Sequence, residues 1–472
     1  MSNQTMHLTR QDFIPFFIAV MKKLTGEELP PYPWQERLLD TVLSSGWPEA
    51  IDLPTGTGKT SVLITAVFLL ALEAEQVPAE RKTALRLIYT VDRRLIVDQS
   101  EKLAMVLKAA IESADLMSDD ILAKVKRNLF KYGGEIPLDV IKLRGGLYDR
   151  LPWVQEPNTP TIILTTVDQI GSRLLFRGYG ISHRKWPIHA ALSAIDAMYF
   201  LDEVHLSWPF AQTLMNLKTY LSKEPLIQAG FKPLDVVLLS GTMPDDEKPK
   251  LIFSLNEDDW RDPCLKKRLE AKRFIRLNEY TISDGITDKE ENDNEEDSQY
   301  KRSSKREAEN IAVFLSEAAK DLLHEIDGPI AIIANRVASA RYAFNLLLEK
   351  SNELQLDPED ILLLTGRVRP YDREKIYRRL FSERLPRIVV ATQTIEVGID
   401  VSFAGMVVEA APCNALLQRL GRLNRDGSYD DKEPVAVIVH VKNKDFIPLP
   451  YKKEDVTNCV KALQAFIKEN KI

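Results

Sequence analysis

Histidine and cysteine are scarce in this chain, with six and three residues among 472. The cysteines, Cys264, Cys413 and Cys459, form no C-x-x-C pair. Neither a disulfide framework nor a structural zinc site is implied, and they read as small hydrophobes in a reducing compartment. The histidines, His7, His183, His189, His205, His324 and His440, are spread too widely for a metal cluster, and none is followed by aspartate. Long hydrophobic runs are also missing. The two best, residues 13–20 and 62–72, are too short to span a bilayer, and the first is interrupted by Pro15 and lacks a basic leader. A cytoplasmic protein with no membrane partner is expected.

A strongly positive charge is lacking as well, since the formal net charge is −6. That would count against a nucleic-acid partner, but the acid is local. Residues 284–300 hold eight acidic side chains against the single Lys289, so the rest of the chain is close to neutral. Almost without apolar residues, this stretch cannot bury enough surface to order itself and reads as a flexible linker, placed at 281–307.

What the sequence does have is a phosphate-binding pattern, Asp52-Leu53-Pro54-Thr55-Gly56-Thr57-Gly58-Lys59-Thr60. A triphosphate needs backbone N–H groups curled around its β-phosphate, and glycine allows the left-handed geometry of such a nest. Thr55, Gly56, Thr57 and Gly58 fill that need. Lys59 adds a charge on the β and γ oxygens. Thr60 opens the next helix and offers its hydroxyl to Mg²⁺. Leu53 stands where the strict pattern has its first glycine. Downstream, the apolar run Ala197 to Leu201 reads as a buried parallel strand ending in Asp202-Glu203-Val204-His205. Asp202 would hold the same metal through water and Glu203 would polarise the attacking water. ATP and Mg²⁺ are the expected cofactors.

Apolar strand-like runs alternate with amphipathic helix-like runs on both sides of the linker, the pattern of βαβ architecture. The expectation is an α/β protein with two domains, 1–280 and 308–445, each a parallel sheet flanked by helices, followed by a terminal helix at 446–472. Expected strands are 50–53, 85–91, 161–165, 197–201 and 235–240 in the first domain. In the second they are 329–334, 361–364, 387–391, 405–409 and 435–439. The second block has no phosphate loop but carries Gln418-Arg419-Leu420-Gly421-Arg422-Leu423-Asn424-Arg425. On one continuous helix Gln418, Arg422 and Arg425 share a face. Leu416, Leu420 and Leu423 lie about 160° away. Guanidinium groups arriving at a triphosphate from the other domain would act as an arginine finger.

The order of these motifs resembles the superfamily 2 DExH helicases, over nearly the whole chain. That resemblance implies two tandem RecA-like domains with an ATP cleft between them. It implies further that Gln35, behind Pro31-Tyr32-Pro33-Trp34, reads adenine, and that His205 completes the acidic box. Ser240-Gly241-Thr242 stands in the place of the coupling motif, with Gly241 where alanine is usual. Ala391-Thr392 through Gly398-Ile399-Asp400-Val401 is similar to motif V, implying that Thr392 touches a nucleic-acid phosphate while Gly398 and Asp400 face the nucleotide. Val91-Asp92-Arg93-Arg94, Leu143-Arg144-Gly145-Gly146 and Phe176-Arg177-Gly178-Tyr179-Gly180 resemble the helicase part of the CRISPR-associated type I helicase–nuclease, most closely its subtype I-U (I-G) branch. In that family the motor is recruited by the RNA-guided surveillance complex and reels single-stranded DNA 3′ to 5′. The family's nuclease is a histidine–aspartate (HD) metal domain, for which these 472 residues have no His-Asp pair. A separate HD nuclease chain, or one lying beyond residue 472, is therefore implied.

A single strand is tracked through phosphates, without base reading. Arg93, Arg144, Thr166 and Gln169 in the first domain, with Arg336, Arg367 and Thr392 in the second, are the candidate contacts at strand-to-helix turns. Two readings stay open beside the CRISPR motor. One is a general superfamily 2 helicase on DNA or RNA; the other is a nucleotide-gated clamp that does not translocate.

Overall fold

The computed structural model describes residues 7–91, 94–143, 152–204, 207–240, 249–282, 296–366, 368–380, 382, 384–396, 401–443 and 446–470. The chain divides into two compact units, Met1–Lys266 and Lys267–Ile472.

The first unit carries seven strands: β1 (Ala50–Asp52), β2 (Arg86–Val91), β3 (Asp139–Leu143), β4 (Thr161–Thr166), β5 (Ala197–Asp202), β6 (Asp235–Ser240) and β7 (Ile252–Ser254). They form one all-parallel sheet in the order β3-β4-β2-β5-β6-β1-β7. Central strands β2, β4 and β5 are buried at every position. Parallel strands covered on both faces should read as continuous apolar runs, and these do. Helix Val62–Leu72, entered through a 3₁₀ turn at Lys59–Ser61, is buried from Val62 to Ala71. Its apolar surface all round is that of a helix enclosed on every side.

The second unit holds β8 (Phe274–Tyr280), β9 (Ile330–Ile333), β10 (Ile361–Leu364), β11 (Ile388–Ala391), β12 (Gly405–Glu409) and β13 (Val435–Val441). Their order is β10-β11-β9-β12-β13-β8, again parallel throughout. Alternate residues of β9 serve opposite faces: Ile330 and Ile332 join one core, Ala331 and Ile333 the other. Among the described residues no helix is long and apolar enough to cross a membrane.

Three differences from the sequence reading concern boundaries. The units divide at Lys266 and Lys267 rather than at 280, because β8 pairs along its whole length with β13. The expected linker 281–307 is partly helical, since helix Glu296–Glu325 begins inside it. Apolar residues at helical spacing, Ile311, Ala312, Leu315 and Leu322, seat that helix on the second sheet. The remainder of the acidic stretch, through residue 295, lies outside the described residues. Finally, β3, β7 and β8 were not expected, and each is an edge strand.

Candidate nucleotide site

Strand register brings the phosphate loop and the acidic pair to one edge of the first sheet. Asp52 at the end of β1 pairs with Ser240 of β6, and Leu239 beside it pairs with Asp202 at the end of β5. Two strand spacings, about 10 Å, therefore separate the two chain segments. This is the carboxyl edge, where open α/β sheets bind ligands.

The loop has the geometry that its glycines predict. Gly56 and Gly58 lie at φ 89° and 81°, in the left-handed region. Lys59 Nζ donates to the Leu53 carbonyl at 2.9 Å, which folds the lysine back over the loop. Thr57 is fully buried and donates its hydroxyl to the Pro54 carbonyl at 2.9 Å. Thr55 is exposed and Thr60 half-buried. Gln35 is nearly enclosed: its Oε1 accepts from the Tyr32 N–H at 2.7 Å and its Nε2 donates to Ser61 Oγ at 2.5 Å. A Cβ on Gly58 would come to 3.8 Å from Gln35 Nε2. Gln35 thus lies against the loop, with its carboxamide serving the helix entrance.

The sequence reading missed Tyr89. Fully buried on β2, it donates its hydroxyl to Asp202 Oδ2 at 2.7 Å and also hydrogen-bonds Thr60. Both metal candidates, Thr60 and Asp202, thereby meet at one phenol. A tyrosine in the middle of a fully buried strand was the available signal, because its hydroxyl needs a partner. Burial raises the Tyr89 pKa well above its ordinary value, and the Asp202 carboxylate adds to this. Asp202 itself is raised to about 6, first by burial and then by Glu203, while Lys59 and Tyr89 work in the opposite direction. Glu203 sits at φ 50°, a left-handed conformation strained for a non-glycine residue. Its N–H donates to Asp202 Oδ1 at 3.1 Å. The two left-handed glycines fit an anion, and the buried Asp202, sharing the Tyr89 hydroxyl with Thr60, fits a divalent cation. Among the described residues no cluster of three or more His, Cys, Asp or Glu side chains could hold a metal ion.

The arginine segment departs from its expected form. The helix runs only from Cys413 to Leu420, with Gly421 at its C-cap. Leu423 then makes a parallel bridge to Phe403, and Asn424 turns to φ 43°. Gln418, Arg422 and Arg425 therefore do not share a helical face. The leucines behave as expected, with Leu416, Leu420 and Leu423 all in one core of the second sheet. Gln418 is half-buried. Arg422 is buried and donates to the carbonyls of Ile395 and Glu396 at 3.2 and 2.7 Å. Arg425 is half-buried: its Nη1 donates to the Gly421 carbonyl at 3.4 Å and its backbone N–H donates to Ser402 Oγ at 2.9 Å. Arg419, which was given no role, is fully buried and bonds Glu396 Oε1 and the Glu409 carbonyl, both at 2.9 Å.

Of the nucleic-acid candidates, Thr166 ends β4 and is almost covered, and Gln169 accepts from Arg173 Nη1 at 3.0 Å. Arg336 begins the helix after β9 and lies 3.7 Å from Glu307. Thr392 follows β11 and is buried. Thr166 and Thr392 stand at or just past the carboxyl ends of strands and are buried, while Gln169, within helix Val167–Leu174, and Arg336 are half-buried. His205, Gly398, Asp400, Arg93, Arg144, Arg367, Gly241 and Thr242 lie outside the described residues.

Comparison with known proteins now bears on this geometry. The family model for CRISPR-associated nuclease/helicase Cas3, C-terminal, matches residues 327–428. A CRISPR-associated nuclease/helicase Cas3 of Streptococcus thermophilus is 28% identical over 241 residues, covering 48% of this chain and 23% of the relative. Over these stretches the chain resembles Cas3. Two solved structures extend the likeness to almost the whole length. T. fusca Cas3 with AMPPNP matches at TM-score 0.58 and 17% identity, covering 94% of this chain and 51% of that one. The helicase Lhr of Mycobacterium smegmatis, bound to ssDNA and AMP-PNP, matches at TM-score 0.53 and 17% identity, covering 96% and 50%. At such identity the structural likeness carries the fold: two tandem RecA-like domains. The chain spans about half the length of these solved proteins.

Proposed function

We propose that this Cas3-like chain is an ATP-hydrolysing motor that moves 3′ to 5′ on single-stranded DNA in a type I CRISPR interference system. The observation that carries the reading is the Tyr89 hydroxyl joining Thr60 of the phosphate loop to Asp202 of the acidic pair. An arrangement of left-handed glycines, lysine, threonine and buried aspartate at one sheet edge suits a nucleoside triphosphate with its cation.

In this reading the N–H groups of the Gly56–Thr60 turn bind the β-phosphate, and Lys59 leaves the Leu53 carbonyl to neutralise the terminal phosphates. Thr60 and Asp202 hold Mg²⁺, which supplies charge neutralisation at the phosphoryl oxygens. Glu203 orients the attacking water and accepts its proton. Arg425 contributes positive charge to the transferring group, and Arg422 keeps its segment in register through the Ile395 and Glu396 carbonyls. Gln35 contributes to adenine recognition by exchanging its bond to Ser61. Gln418, His205, Gly398 and Asp400 retain roles at the nucleotide.

The remaining proposals follow from the resemblance and the relatives. An RNA-guided surveillance complex recruits the motor, and an HD nuclease outside these 472 residues supplies cleavage. The Val-Asp-Arg-Arg and Phe-Arg-Gly-Tyr-Gly strings favour the I-U (I-G) subtype. Thr166, Gln169, Arg336, Thr392, Arg93, Arg144 and Arg367 contribute strand contacts.

Strand displacement tests this directly. With ATP, a duplex carrying a 3′ single-stranded DNA overhang should open, whereas a 5′ overhang should not. Opening of RNA duplexes with equal efficiency would favour a general helicase. ATP-dependent strand retention without opening on any substrate would instead establish a clamp.

A further inference from the structure

Between residues 169 and 195 the chain contains no aspartate or glutamate, although acids number 69 in 472 residues overall. The same stretch carries Arg173, Arg177, Arg184 and Lys185. At its centre, immediately after helix Val167–Leu174, the side chains of Leu175, Phe176 and Tyr179 are 60%, 55% and 57% exposed. Large apolar groups presented in a stretch that has cations and no acid of its own are poorly explained as a solvated loop.

Backbone geometry sharpens the question. Phe176 lies at φ 58°. Its N–H donates to the Arg173 carbonyl at 3.1 Å, and the Arg177 N–H donates to the Ser172 carbonyl at 2.7 Å. These bonds make a Schellman cap, in which the left-handed position is ordinarily glycine. A bulky side chain there is strained, and exposure of the ring means that burial does not offset the strain. The apolar contact that usually closes such a cap is missing, because Ser172 and Arg177 occupy its two positions.

The loop beyond is held firmly. A Cβ on Gly178 would come within 2.6 Å of Ile181, so the turn is tightly closed. Trp186 donates its Nε1–H to the Ile181 carbonyl at 3.1 Å and stacks with His183 at 4.1 Å. Arg177 lies over the same indole at 5.9 Å. Phe176 and Tyr179 are thereby displayed on a fixed turn, with the exposed cations Arg177, Arg184 and Lys185 within ten residues of them in sequence.

Resting on the nucleic-acid motor reading, we infer that this turn is a stacking platform for single-stranded nucleic acid. Unpaired bases stack on Phe176 and Tyr179, and Arg177, Arg184 and Lys185 neutralise the flanking phosphates. Rings with an adjacent cationic track suit single strands, because every base has a face to stack and no sequence reading is required. Helix Val167–Leu174 places the platform about 12 Å along the chain's path from Thr166, beyond the strand ends where the motif contacts lie.

The test uses fluorescein-labelled oligothymidylate, oligouridylate and a blunt DNA duplex, read by anisotropy with the full chain. Phe176→Gly relieves the backbone strain, so its unfolding midpoint should equal or exceed that of the wild type. Its affinity for the single strands should nevertheless fall about tenfold, with a further loss in the Phe176→Gly, Tyr179→Ala double variant. Duplex affinity should change little, and Phe176→Tyr should restore single-strand binding. ATP hydrolysis measured without nucleic acid should be unaffected. Comparing oligothymidylate with oligouridylate assigns the sugar. Unchanged single-strand affinity in the double variant overturns the inference, and so does an equal loss for duplex. Loss of surveillance-complex binding with single-strand affinity intact overturns it in favour of a protein contact. If Lys59-dependent hydrolysis is absent while these binding differences persist, the motor reading fails and the platform stands.

Discussion

At the carboxyl edge of the first sheet, β1 runs into a loop with Gly56 and Gly58 in left-handed conformations, and the buried Asp202 accepts from the Tyr89 hydroxyl and the Glu203 N–H. At the carboxyl edge of the second sheet, β12 ends at Glu409, whose Oε2 accepts from the Asn335 N–H at 2.7 Å. There Arg419 pairs with Glu396 at 2.9 Å, and Gln393 donates to the Asn335 carbonyl at 2.7 Å. One parallel architecture thus carries two kinds of buried charge. In the second unit opposite charges satisfy one another within the fold. At the first edge burial and the neighbouring Glu203 both raise the pKa of Asp202, with Lys59 acting against them. The comparison teaches that the two edges are built differently: in the proposed function the first binds nucleotide, while the second fixes the shape of an arginine-bearing segment.

The largest effect expected from breaking this contrast is on turnover. Arg425→Ala should lower ATP hydrolysis about 10³-fold or more while nucleotide affinity, read by a fluorescent ATP analogue, stays within about threefold. Normal turnover would remove Arg425 from the reaction. Next comes Arg419→Met, which leaves Glu396 buried without its cation and should destabilise the second unit by about 3–5 kcal/mol in urea unfolding. Adding Glu396→Leu should recover a large part of that loss, because both charges are then gone. Lys59→Ala should reduce hydrolysis by about 10²–10³ with little change in the unfolding midpoint, since its single bond to the Leu53 carbonyl is a minor part of the fold.

The smallest effect separates the two edges by pH. Asp202 is raised from 3.8 to about 6, so the folded chain takes up a proton more readily than the unfolded one. Stability without nucleotide should therefore fall as pH rises through this window, by at most about 3 kcal/mol. Stabilisation by Mg²⁺ and ATP should grow across the same range as the carboxylate forms. Removing the metal with EDTA at pH 8 should abolish that gain. A flat pH response of the nucleotide-free chain would contradict the raised Asp202.

What the sequence reveals follows burial. Interior strands such as β2, β5, β9 and β12 appear as apolar runs, and their observed limits fall within a residue or so of those expected. β3 and β8 alternate, with Lys142, Arg276 and Glu279 among their residues, because an edge strand keeps part of its surface in water. β7 has only three residues. The phosphate loop was legible because its glycines are a backbone requirement written into the sequence. The arginine segment was misread as one helix because periodicity cannot show that Gly421 ends the helix and that Leu423 turns to pair with Phe403. Tyr89 and Arg419 were hidden for another reason. Each acts through a partner far away in sequence, 113 residues for Tyr89 and 23 for Arg419.

Steady-state ATP hydrolysis by the purified chain, measured with and without oligothymidylate and beside Lys59→Ala, tests the central claim most directly. The account predicts turnover that the single strand stimulates and that Lys59→Ala removes under both conditions. Turnover that survives in Lys59→Ala, or none in the wild-type chain with Mg²⁺ and single-stranded DNA present, would contradict it.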